Sequence, residues 1–338
     1  MKQFLRNYVV NLVVILSLTC ISLWYALKDH TLQIVTMLYS VQWYKILIVI
    51  VVVLFCQAIV GWILQQFAKM VKPDYSLKDG FVNALIAGFF HGITPSASGG
   101  QFVQVFVFHK QGVVVEHSIS LLIMDFIVYQ ISMVLVSLVL LIWKMSYFVN
   151  HSIFVFGIIG FSINMMVILV LLISSFSSRM NQWIVHIVIR ILARFHIVKD
   201  ASVAKMNMEQ KLIDFSKGLM LLRSNKVLLI KVLFANLFRL FIYYSIPSLC
   251  CWALNIHVSL DELFTMIAFT SFIMNVNACV PIPGASGSTE SVFLIMFGWL
   301  LSPIDVSSVM ILWRFMTYHF ILVIGALLFI KVQKGDSI

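Results

Sequence analysis

The chain has 338 residues, of which 62% are hydrophobic and only 11% charged, with a mean hydropathy of +1.03. Soluble domains carry about 25% charged residues, so this composition excludes a soluble globule and points to a polytopic membrane protein. The formal charge of +10 would suit a nucleic-acid partner, but its placement along the chain argues for a membrane surface instead.

Runs of about 20 apolar residues cross a hydrocarbon core. Six occur, at 8–27, 44–67, 118–143, 151–174, 228–254 and 304–330. The first follows Lys2 and Arg6. It is too long for a signal peptide and lacks a small-residue cleavage pattern, so a retained helix is expected. Beyond the second run, 69–80 is a short basic turn containing Pro73 and Asp74.

An interrupted stretch at 81–108 comes next, and it contains TPSASGGQ from Thr94 to Gln101. Pro95 removes a backbone donor, and Gly99 and Gly100 each cost a helix about 1 kcal/mol against alanine. Backbone broken at membrane depth survives only where protein or water satisfies it, so Pro95, Ser98, Gly99 and Gly100 are expected to wall a site. Gln101 and Gln104 stand three apart on one helical face, either bonding to neighbouring helices or touching substrate.

The third run carries Asp125, an expensive residue at membrane depth that signals function, a structural partner or a protonated acid. Asn164 in the fourth run suits interhelical hydrogen bonding. From 175 to 226 the chain leaves the apolar register. Arg179, Gln182, His186, Arg190 and Arg194 recur opposite Trp183, Ile187, Ile191 and Phe195, and Met208, Leu212, Phe215, Leu219 and Leu222 form a second stripe. A cytoplasmic amphipathic helical hairpin in the headgroup plane is expected, with lipid-headgroup recognition as the alternative.

In the fifth run Lys231 can snorkel to the interface, whereas Arg239 sits about 12 Å deeper and needs a partner; Asn236, Tyr243 and Tyr244 flank it. A second interrupted stretch, 262–300, contains PIPGASGSTE from Pro281 to Glu290. Pro283, Ala285, Ser286 and Gly287 repeat Pro95, Ala97, Ser98 and Gly99 at a distance of 188 positions. Paired Gly/Pro interruptions in corresponding halves are the sequence pointer to a transporter site, here adding Pro283, Gly284 and Gly287. Glu290 would open the half-helix after the bend, where the helix dipole favours a negative charge. The last run holds Arg314 and His319. The two arginines and the acids Asp125 and Glu290 could neutralise one another. Alternatively, the arginines meet a phosphate while an acid meets a cationic group or a proton.

If the N-terminus is cytoplasmic and both interrupted stretches are re-entrant, eighteen of the twenty-three basic residues fall on cytoplasmic segments. Lys28, Lys45 and Lys144 remain outside, and Arg239 and Arg314 lie inside spans. The positive-inside rule thus predicts cytoplasmic N- and C-termini and accounts for the basic charge through topology and anionic lipid rather than nucleic acid. Three crossings separate the two interrupted stretches, so they enter from opposite faces as an inverted repeat. The expected fold is an all-α polytopic membrane protein, residues 1–338 forming a single transmembrane domain. No nucleotide, metalloprotease or hydrolase motif is present, and the five cysteines lack metal-ligand spacing, so no cofactor is expected.

Pro281, Pro283, Gly284, Gly287 and Glu290 fit a P-x-P-G-x-x-G-x-x-E pattern, and Trp313-Arg314 is followed by Tyr318 and Gly325. In these residues the chain resembles the transmembrane region of the lysylphosphatidylglycerol synthase family, the membrane half of the multiple peptide resistance factor and its stand-alone relatives. TPSASGGQ resembles the family's first motif, although Gln101 and Gln104 stand where many relatives carry Glu and Arg. The resemblance implies a lipid translocase fold in the bacterial plasma membrane, its two re-entrant segments meeting near the bilayer centre. In full-length relatives a soluble transferase domain joins lysine from lysyl-tRNA to phosphatidylglycerol, contributing to resistance against cationic peptides. No such domain is expected in the eight residues after the last run. Three functions follow as expectations: a flippase-like protein for a phospholipid, aminoacyl-phospholipid or other lipid-linked headgroup; the membrane part of a phosphatidylglycerol lysyltransferase; or a non-transporting scaffold. Candidate partners are the lipid itself, a separately encoded transferase and a second copy of the chain.

Overall fold

The computed structural model describes residues 30–94, 99–145, 224–278 and 282–334, with isolated positions elsewhere. The runs expected at 8–27 and 151–174, the hairpin expected at 175–226, Asn164, and the bend residues Pro95, Ser98 and Pro281 lie wholly or largely outside the described residues. Among the described residues every regular element is helical. They are α1 (Thr31–Tyr39), α2 (Trp43–Ala68), α3 (Leu77–Ile93), α4 (Gly99–Lys110), α5 (Val115–Trp143), α6 (Lys226–Ala253), α7 (Leu260–Ala278), α8 (Ser288–Phe297), α9 (Pro303–Arg314) and α10 (Phe320–Lys334). A single 3₁₀ turn, Pro283–Ala285, precedes α8, and a π-helical turn, Phe315–His319, joins α9 to α10.

Among the described residues four helices are long and apolar enough to cross a membrane: α2, α5, α6 and the continuous Pro303–Lys334 segment. They coincide to within a turn with the runs expected at 44–67, 118–143, 228–254 and 304–330. The protein is an all-α membrane protein. Helix α1 is not foreshadowed by the apolar pattern. It is too short to span, buries only Ile34 and packs on α9.

Local chemistry sets where the helices begin. Ser76 and Asp79 cap α3 reciprocally, the Ser76 hydroxyl accepting from the Asp79 amide at 3.0 Å. Ser259 and Glu262 do the same for α7, and Ser302 accepts from the Asp305 amide at 3.2 Å ahead of Pro303 in α9. Each cap satisfies an amide that would otherwise be unpaired, an effect worth about 1 kcal/mol.

Of the three apolar cores among the described residues, two stack along the bundle and the third packs α3 and α4 against Tyr318 and α10. One joins the end of α2 (Ile63, Phe67), Tyr75, Phe108 of α4 and the starts of α5 and α6 (Leu121, Val232). The other joins the start of α2 (Val49), the end of α5 (Leu140), the end of α6 (Cys250) and helices α7 to α9. In the second core the Phe293 ring stacks on Phe297 at 3.9 Å and on Trp313 at 4.9 Å. Such contacts are worth about 0.5–1.5 kcal/mol each beyond the area they bury.

Two helical hairpins are inserted into this frame. In the first, α3 and α4 run antiparallel, because Tyr75 at the mouth packs at a tilt against Phe108 and donates to the Gln111 side chain at 2.6 Å. Burial holds the Tyr75 phenol above its ordinary pKa, so it remains a donor. The Gln111 amide in turn donates to the Asp79 carbonyl at 2.8 Å. In the second hairpin, Phe269 of α7 lies edge-on to Phe297 of α8 and to Trp299. Its mouth is tied to the end of α5 by an ion pair between Lys144 and Asp261. Deeper, Ser271 and Asn275 of α7 each donate to the Ser137 hydroxyl of α5 at 2.7 Å. Helix α5 runs from one mouth to the other, so the hairpins open at opposite ends of the bundle.

Candidate functional site

The tips of the two hairpins meet on one side chain. Tyr318, in the π-helical turn, donates its hydroxyl to the carbonyl of Gly92 at 3.1 Å. On the other hairpin, Gly284 lies so close that a Cβ there would fall 2.2 Å from the Tyr318 hydroxyl oxygen. Gly284 also has φ +59°, a left-handed conformation that glycine adopts without penalty. Single π-helical turns inside α-helices occur often at functional sites, and this one turns Tyr318 toward both tips.

Around the second tip the polar groups satisfy one another. Glu290 accepts from the Gly287 amide at 2.7 Å through one carboxylate oxygen, and through the other it accepts from Arg314 Nε at 2.6 Å. A second Arg314 nitrogen donates to the Gly284 carbonyl at 2.9 Å, and the guanidinium carbon lies 4.3 Å from the Tyr318 ring centre. Glu290 thus caps α8 as its position predicts, and it neutralises Arg314 in the same contact. Both side chains are buried. Pro283 opens the 3₁₀ turn and is itself buried, while a Cβ on Gly287 would meet nothing within 4 Å.

The first tip is packed through its glycines. Thr94 donates to the Phe90 carbonyl at 2.6 Å and accepts from the Gly99 amide at 2.9 Å, so one hydroxyl ends α3 and starts α4. A Cβ on Gly100 would lie 2.2 Å from the His91 ring. The glutamine pair is split. Gln101 is exposed, whereas Gln104 is buried and makes no hydrogen bond with the described residues. Three-residue spacing covers about 300° of helical rotation, enough to place one at the edge of the buried face and the other within it.

Asp125 and Arg239 form a second polar centre between α5 and α6. Arg239 Nε donates to Asn236 Oδ1 at 3.0 Å, and its guanidinium carbon lies 5.5 Å from the Tyr129 ring centre. Tyr129 is one turn beyond Asp125 on α5, and Asp125 is within electrostatic reach of Arg239 without a direct ion pair among the described residues. Tyr243 lies within electrostatic reach of both Arg239 and Arg314, so the two centres adjoin. The mutual neutralisation open from the sequence is therefore direct for Glu290 with Arg314 and only long-range for Asp125 with Arg239. Tyr129 and Thr94 were not singled out from the sequence. The i to i+4 spacing of Tyr129 from Asp125 is a readable signal, whereas the capping role of Thr94 needs the path of the broken chain.

An integral membrane protein with two broken hairpins meeting over a buried ion pair is the class that fold and site define. The chain belongs to the family described as lysylphosphatidylglycerol synthase TM region, which it matches over residues 8–325. It is thus a membrane protein of a family tied to lysylphosphatidylglycerol synthesis. No curated protein matches the chain in sequence.

Proposed function

We propose that this protein is a flippase-like translocator. It would carry a phospholipid, an aminoacyl-phospholipid or another lipid-linked headgroup across the bacterial plasma membrane, with both chain ends in the cytoplasm. The hairpins are re-entrant in this reading, related as an inverted repeat, and their tips line the headgroup path. The observation that carries it is the meeting of Gly92 and Gly284 at Tyr318, with the tips drawn from hairpins that open at opposite ends of the bundle. Broken backbone at such a junction needs a polar lining, and rocking one half against the other would expose that lining to each side in turn.

The test is transbilayer movement of labelled lipid in liposomes containing the purified protein. Wild type is expected to speed movement over protein-free liposomes, and Glu290→Gln and Arg314→Ala to slow it. Equal rates for all three would sink the reading. The family's tie to lysylphosphatidylglycerol synthesis supports a second reading, in which the chain is the membrane part of a phosphatidylglycerol lysyltransferase working with a separately encoded catalytic partner. Loss of lysyl-lipid on deletion, with lipid movement unchanged, would favour that one.

A further inference from the structure

The two intramembrane arginines are not equivalent. Arg314 is held on three sides: by Glu290, by the Gly284 carbonyl and by the Tyr318 ring. Among the described residues Arg239 has one hydrogen bond, from Nε to Asn236, and its two terminal nitrogens have no acceptor there. It sits about 20 Å along α6 from Lys226 at 1.5 Å per residue, so snorkelling does not bring its charge to an interface. It also does not face lipid. The exposed stripe of α6 runs through Phe234, Phe238 and Phe241, and Arg239, itself half-buried, lies on the other side with buried Val232, Asn236 and Ile246.

A guanidinium at this depth is stabilised by an anion with complementary oxygens. Asp125 supplies opposite charge at a distance, but no hydrogen bonds. We propose that Arg239 is the anion-binding residue of this protein, its two terminal nitrogens receiving the oxygens of a phosphate group, with Asp125 as the counter-charge that holds the site between ligands. This assignment rests on the translocation reading for the source of the phosphate, a lipid headgroup. It also divides the labour between the arginines: Arg314 and Glu290 lock the second hairpin, and Arg239 reads the ligand. Asn236 positions the guanidinium through Nε, and Tyr129 supports its face.

The geometry predicts variants of opposite sign. Removing the arginine weakens phosphate binding, whereas removing the Asp125 charge strengthens it, because the anion no longer meets a nearby negative charge. The experiment is binding of short-chain dihexanoyl phosphatidylglycerol to the full-length protein in detergent, followed by tryptophan fluorescence, with dihexanoyl glycerol and inorganic phosphate as parallel probes. Arg239→Gln is expected to weaken phosphatidylglycerol binding about tenfold or more, and Arg239→Lys to restore part of it. Asp125→Asn is expected to tighten it about fivefold, a gain that a misfolded protein does not produce. Selective binding of the phospholipid upholds a headgroup site, and equal Arg239-dependent binding of inorganic phosphate upholds the site with a free anion as ligand. Undiminished binding by Arg239→Gln, no tightening in Asp125→Asn, or equal binding of dihexanoyl glycerol overturns the assignment. Lipid movement measured on the same preparations keeps the two readings apart. Movement without Arg239-dependent binding sinks the site alone, and Arg239-dependent binding without movement sinks translocation alone.

Discussion

Arg314 and Glu290 hold each other at 2.6 Å inside the bundle, 24 positions apart in sequence and with hardly any exposure to solvent. Removing one member leaves the other charged and buried without a partner, which typically costs about 3–5 kcal/mol. Arg314→Gln and Glu290→Gln are each expected to lower the thermal unfolding midpoint in detergent markedly. The double variant should fall by less than the sum, giving a coupling energy of about 1–3 kcal/mol in a double-mutant cycle. Additive losses would mean that the pair contributes nothing as a pair.

Gly284→Ala meets two obstacles at once, a left-handed backbone and the Tyr318 hydroxyl 2.2 Å from the new methyl group. A loss of about 2–4 kcal/mol is expected. Replacing Tyr318 by leucine in the same chain should relieve the clash while retaining the backbone strain. Unfolding midpoints of the two singles and the double decide it, and recovery in the double is the expected result.

The mouth of the first hairpin depends on Gln111, whose side chain accepts from Tyr75 at 2.6 Å and donates to the Asp79 carbonyl at 2.8 Å. Gln111→Ala removes both bonds, for an expected loss of about 1–3 kcal/mol. Amide hydrogen exchange should quicken at the start of α3 and the end of α4 and stay unchanged in α7 and α8, which lie at the other end of the bundle.

Cys56, Cys250 and Cys251 are all buried. In a background with Cys20 and Cys279 changed to serine, a maleimide dye is expected to label the native protein very slowly and the unfolded protein fully. Rapid labelling of native protein would show that the packing around these cysteines opens far more readily than their burial suggests.

Four of the expected spans and the two broken stretches are legible in the sequence, because each rests on local physics. Length and hydropathy set a crossing, and proline and glycine set a break. A charge among apolar residues marks a costly position wherever it occurs. Helix α1 escapes that reading because its nine residues fall far short of the apolar run of about 20 that marks a crossing. Gln101 and Gln104 appear equivalent by spacing, yet α4 packs against α3 and α5 on only part of its surface and leaves one of them outside.

Pairing is what the tertiary structure decided. Nothing in a linear chain says which arginine takes Glu290, since Arg239 and Arg314 sit in equally apolar surroundings. The choice follows from the close approach of α8 to α9, which brings Arg314 within 2.6 Å of the carboxylate and leaves Arg239, on α6, beside Asn236 and Tyr129. Tyr318 likewise gains its role only because the π-helical turn aims it at two tips contributed by opposite halves of the chain. Burial and breakage are properties of single segments, but partnership between charges at membrane depth is set by distances of a few ångströms, and packing alone supplies those.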